Sequence, residues 1–143
     1  MLIIEKPVDV TKLFCLGQHL IHEAYIADCP HTKQLLSKVL KTSRPTIWRY
    51  EGIAYYCIPE FKDDYPELPK ELWIERGSSR DRTVPLSPFQ SWCISLISTA
   101  YKCLRKKDAV EQFIKTNPYL FTKNKYLFEL EQLAKQQAAA NIT

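Results

Sequence analysis

Glycine is nearly absent, with three in 143 residues, and this leaves no glycine-rich loop of the kind that cradles phosphate in nucleotide-binding folds. Histidine is as scarce, and all three lie before residue 32. The Cys–His arrangement that nucleophilic catalysis needs is not visible. No apolar run approaches the eighteen or so residues that a membrane span requires. The five cysteines, Cys15, Cys29, Cys57, Cys93 and Cys103, contain no C-x-x-C pair, and an odd number cannot all pair internally. Several sit among apolar residues, as in Trp92-Cys93-Ile94, the pattern of free buried thiols in a reducing compartment. The opening Met-Leu-Ile-Ile-Glu-Lys lacks the basic start, long apolar stretch and cleavage site of a secretory leader. These absences predict an intracellular, cytoplasmic protein that is not an enzyme and carries no cofactor or metal.

One further absence is positional. Residues 29–50 contain no carboxylate, while Lys33, Lys38, Lys41, Arg44 and Arg49 are all basic. Residues 51–75 reverse the sign, with seven carboxylates against two lysines, and residues 76–107 are basic again. The overall excess of +4 is mild. A sign change this sharp suits a face made for a polyanion beside one kept away from it; a grouping of ordinary solvated charges is the plainer reading.

What is present is mainly helical pattern. Residues 9–26 carry Val10, Leu13, Phe14, Gly17, Leu20, Ile21, Ala24 and Tyr25 at three-four spacing, one stripe of an amphipathic helix. A second helix opens at His31 or Thr32, with Leu35, Leu36, Val39 and Leu40. Lys41-Thr42-Ser43 forms a tight turn, with Ser43 as an N-cap and Pro45 in the first turn of the next helix, where its missing N–H costs nothing. The prolines at 59, 66, 69, 85 and 88 forbid a long helix over residues 59–88. Here Leu72-Trp73-Ile74 and Thr83-Val84 are candidates for two short strands around a basic tip, residues 76–80, a hairpin or else a plain loop. Ser87-Pro88 starts a helix with the stripe Phe89, Trp92, Cys93, Leu96, Ile97, Ala100, Tyr101 and Leu104. A short helix over about 108–115 and a last one over about 123–137 follow, and residues 138–141 are expected to fray.

The segment 33–52 has the layout of a helix-turn-helix. Leu36 and Leu40 of its first helix pack on the second, Ser37 is the small residue at the close approach, the turn is three residues, and Ile47 and Tyr50 point back at the first helix. Ser43, Arg44, Pro45, Thr46, Trp48 and Arg49 are then left facing outward, a composition that suits a recognition helix, since arginine bonds guanine bidentately and hydroxyls reach phosphate. Ser43-Arg44-Pro45-Thr46-Ile47-Trp48-Arg49-Tyr50 resembles the opening of the recognition helix in helix-turn-helix regulators and resolvase-type proteins. Thr46-Ile47-Trp48-Arg49-Tyr50-Glu51 is similar to the MerR-like group. The likeness covers residues 33–52 only, and it departs at Lys41, where such turns usually have glycine, and at Thr42, usually Val or Ile. Some thirty residues precede the motif, whereas MerR-like proteins begin with it, and no family is assigned. The resemblance implies sequence-specific DNA binding, with Lys33, Lys38 and Lys41 on phosphates, Arg44, Thr46, Trp48 and Arg49 at base edges, and Ser43 capping the helix and touching phosphate.

Two alternatives stand beside it. Thr46 to Tyr50 and Ile53 to Ile58 are rich in β-branched and aromatic residues, and Glu51-Gly52 is a candidate two-residue hairpin turn. The second alternative is a helix-turn-helix that serves protein contacts alone, as in a non-catalytic adaptor. Cys15, His19 and His22 share a helix face, with Cys29 and His31 following; the spacing permits zinc, but a half-buried helix face is commoner. Glu60, Asp63, Asp64 and Glu67 match no cation loop and read as a solvated acidic linker. The expectation is a mainly α protein. Its helix-turn-helix domain covers residues 1–58, a connector with a possible hairpin wing residues 59–86, and a helical dimerisation module residues 87–143. Its partners are double-stranded DNA and a second copy of itself, and it has no membrane.

Overall fold

The computed structural model describes residues 10–142, with side chains from 16 to 141. Eight α-helices and two short 3-10 turns account for all regular structure among the described residues, apart from two isolated bridges. The helices are α1 (Val10–Glu23), α2 (Lys33–Val39), α3 (Arg44–Cys57), α4 (Pro59–Asp63), α5 (Trp73–Arg76), α6 (Pro88–Leu104), α7 (Lys107–Thr116) and α8 (Lys123–Ile142). The mainly α expectation therefore holds. None of these helices is long and apolar enough to cross a membrane.

The capping signals act where the residues predict. Thr32 Oγ1 accepts from Leu35 N at the start of α2, and Ser43 Oγ accepts from Thr46 N at the start of α3. Ser87 and Gln90 form a reciprocal capping box on α6, satisfying two amide donors that a helix start otherwise leaves open. Residues 44–57 form one continuous helix with Gly52 inside it, which removes the hairpin alternative.

The centre of the molecule is α6. Trp92, Cys93, Ile94, Leu96, Ile97 and Ala100 are all fully buried, and α1, α3, α4, α7 and α8 pack around them. Gln90, Ser91, Ser95 and Ser98 are buried with them, so neighbouring helices enclose even the polar side of the first three turns of α6. One cluster runs from Leu20 through Ile47, Phe61 and Trp92 to Phe121 and Tyr126, so the core does not divide at residues 58 or 86. Of the two apolar stripes in residues 87–143, the chain itself covers the one through Trp92, Leu96 and Ile97. Within residues 87–143 the exposed large apolar groups are Tyr119 and, on α8, Leu127, Phe128 and Leu130. The α8 helix also runs on through Ile142 rather than ending near residue 137, as its Ala138-Ala139-Ala140 favours.

The connector differs from the expected hairpin. Leu68 N donates to Ser79 O at 2.8 Å and Asp81 N to Pro66 O at 2.8 Å, around an antiparallel bridge between Glu67 and Arg80. Between these lie helical turns, not strands, at Lys70–Leu72 and Trp73–Arg76. Leu72-Trp73-Ile74 has no polar alternation to give a strand two different faces, and Ile74 is left 97% exposed. Thr83-Val84 pairs with no strand either; the next bridge is between Leu86 and His31.

Candidate nucleic-acid interface

The turn joining α2 to α3 is a tight C-terminal cap. Lys41 has φ 55°, Thr42 N reaches back to Ser37 O at 2.9 Å and Lys41 N to Lys38 O at 3.2 Å. That pair of bonds defines a Schellman motif, whose left-handed position usually holds glycine. Ser37 is buried, as a small residue at a close approach should be, and its hydroxyl donates to Gln34 O at 2.6 Å. Ile47 and Tyr50 are buried with Leu36, and α2 packs directly on α3.

The inward face of α3 carries a carboxylate. Glu51 is 3% exposed and belongs to the same helix face as Ile47, Tyr50 and Ala54. Arg82 Nη2 approaches Glu51 Oε1 at 2.7 Å, Lys33 Nζ approaches Oε2 at 2.9 Å, and the Tyr65 hydroxyl donates to Oε2 at 2.5 Å. Burial alone pushes this carboxyl up, but the hydrogen bonds from Arg82, Tyr65 and Lys33 outweigh it and hold it below the usual range. The Tyr65 phenol is pushed far up by burial and by the neighbouring Glu51 charge. Arg82 also lies over the Tyr55 ring at 4.4 Å, and the Tyr55 hydroxyl meets Ser78 Oγ at 2.7 Å. The connector is thus tied along α3.

These contacts sort the expected site residues. Lys33 is bound to Glu51 and to Arg82 O at 3.0 Å, so it is held within the fold. The Ser43 and Thr46 hydroxyls share a 2.7 Å hydrogen bond and serve the cap. Lys38, Lys41, Arg44, Trp48 and Arg49 are exposed, and none of these cations makes an ion pair among the described residues. At about 100° per residue, Arg44 and Trp48 share one flank of α3 and Arg49 lies roughly 100° further round. Pro45, Gly52 and Tyr56 fall on the outermost line. A methyl built on Gly52 meets nothing within 4 Å.

Residues 32–34, Arg44, Trp48 and residues 82–85 line a cleft of about 340 Å³. Arg44 Cζ stands 5.8 Å from the Trp48 ring centroid. Sequence reasoning missed both Arg82 and the inward role of Glu51. The signal for Glu51 was its place in the apolar series 47, 50, 51 and 54; nothing local pointed to Arg82, its partner 31 residues away.

The remaining clusters are structural. His31 is buried, with its Nε2 bonded to the Tyr25 hydroxyl at 2.9 Å. His19 and His22 are exposed, the Cys15 side chain lies outside the described ones, and no metal-holding group of three occurs among the described residues. Asp63 and Glu67 pair with Arg80, Asp64 with Lys123 and Ser87, and Glu60 accepts from Lys123 N. Glu60 and Asp64 tie α4 to the start of α8, whereas the Asp63 and Glu67 carboxylates stay largely exposed. Cys29, Cys57, Cys93 and Cys103 are free, and burial pushes the Cys93 thiol well up. Compared with family models, curated proteins and solved structures, the chain matches none.

Proposed function

We propose that α2, its turn and α3 are a helix-turn-helix that binds double-stranded DNA sequence-specifically, in a transcriptional regulator or an accessory factor of recombination or replication. One observation carries this reading. Lys38, Lys41, Arg44 and Arg49 stand exposed on the outside of the unit, without carboxylate partners among the described residues, while the nearest acid in sequence, Glu51, is turned into the core. The result is a positive surface flanking an outermost line of Pro45, Gly52 and the exposed Tyr56. Lys38 and Lys41 hold phosphates, and Arg49 reads base edges, with Arg44 on the other flank. The connector is a wing only in position, since it lies along α3 without strands.

DNA readers of this kind double their contacts by pairing on two half-sites, and the proposed dimer face is Leu127, Phe128 and Leu130 of α8. The rival reading is a protein-interaction adaptor docking through Tyr56, Trp73 and Ile74, which are exposed. Selection from a random duplex pool separates the two. Enrichment of a defined motif, with affinity falling steeply as salt rises, is expected; an unenriched pool refutes sequence-specific binding.

A further inference from the structure

Trp48 is 55% exposed beside the cleft. An indole has one donor and no acceptor, so it lacks the paired groups by which arginine or asparagine distinguish bases. What it offers a nucleic acid is a flat apolar face, and base stacking on such a face is tolerant of sequence. A base inside a duplex already has both faces covered, so the face suits an unpaired one. The cleft has matching features. At about 340 Å³ it lies at the small end of the range that holds small ligands, about 300–1,000 Å³. No carboxylate lines it, Val84 and Pro85 add apolar wall, and Lys33 and Arg82 share the single charge of Glu51, leaving a positive rim. Arg44 stands over the indole, 5.8 Å from its ring centroid, with no carboxylate partner among the described residues.

We propose that this cleft takes one unpaired nucleotide, its base stacked on Trp48 and its phosphate at Arg44, so that the preferred partner is a duplex ending in or opening into single strand. The inference rests on the DNA reading above and narrows it. It replaces base-edge contact by Trp48 with stacking.

The test uses the full chain carrying Trp73→Phe, which leaves Trp48 as the exposed indole, since Trp92 is fully buried. Its emission is followed during titration with a blunt duplex, with the same duplex bearing a short thymine tail, and with thymidine monophosphate. The tailed duplex should quench Trp48 and bind about tenfold tighter than the blunt one. Adding Trp48→Ala should make the two duplexes equal, while Trp48→Phe should keep most of the preference. Equal affinity for tailed and blunt DNA in the parent overturns the cleft assignment and leaves duplex binding standing. Quenching by the free monophosphate without any tail preference overturns the strand as its source. Absence of salt-sensitive binding to either duplex overturns this inference and the DNA reading together.

Discussion

Arg82 Nη2 lies 2.7 Å from Glu51 Oε1, and this contact between the connector and α3 closes a buried set that also holds Lys33 and Tyr65. The depressed carboxyl of Glu51 sets the sign of its pH dependence. A group with a lowered folded pKa stabilises the fold above its unfolded value, about 4.3 for glutamate, and that stability is lost as pH falls through the folded value. Thermal unfolding between pH 7 and pH 2.5 should therefore show the wild type losing stability below about pH 4. Glu51→Gln should cost about 2–4 kcal/mol at pH 7, because it leaves Lys33 and Arg82 without their counter-charge, and the gap to wild type should narrow in acid. A constant gap across the range would mean the ion pairs contribute nothing.

Lys41 sits in a left-handed conformation that costs a residue with a Cβ about 1–2 kcal/mol. Lys41→Gly relieves this at some entropic cost, for a net gain of about 0.5–1 kcal/mol, or roughly 2–4 °C in Tm for a chain of this size. The same change removes the proposed phosphate contact, so DNA affinity should fall as stability rises. A parallel rise in both would place Lys41 outside the interface.

Gly52 is a helix-interior glycine with open space beyond it. Gly52→Ala should stabilise the fold by about 0.5–1 kcal/mol. If the outer line of α3 lies against DNA, Gly52→Leu should weaken binding several-fold while leaving the fold intact. Unchanged affinity in Gly52→Leu would turn that face away from the DNA.

Much of the fold was legible because its signals are local. Thr32, Ser43 and Ser87 each cap the helix that follows them, and the spacing of Leu36, Ile47 and Tyr50 describes the face that is buried. The destination of each apolar stripe was not local. Trp92, Leu96 and Ile97 face partners from helices far apart in sequence, and no spacing rule says whether such a stripe meets its own chain or another. The site divides in the same way. Exposed Lys38, Lys41, Arg44 and Arg49 follow from helix register, whereas the engagement of Lys33 depends on Glu51 and Arg82, which tertiary packing brings together.

The proposed self-association through α8 has a direct readout. Leu127 is 56% and Phe128 51% exposed, so sedimentation over a hundredfold concentration range should show the mass rising above 16.7 kDa. Leu127→Glu with Phe128→Glu should hold it at the monomer value. A constant monomer mass in the wild type would remove the two-fold arrangement on DNA.

Sequence reading by α3 is tested by fluorescence anisotropy on a selected duplex and on its scrambled counterpart, across a salt series, for wild type, Arg49→Ala and Lys38→Ala. Arg49→Ala should lose roughly 1–3 kcal/mol on the selected duplex and little on the scrambled one. Lys38→Ala should weaken both alike and reduce the salt slope by about one. Wild-type binding that is absent or insensitive to salt, or an Arg49→Ala loss equal on both duplexes, would contradict sequence reading by α3.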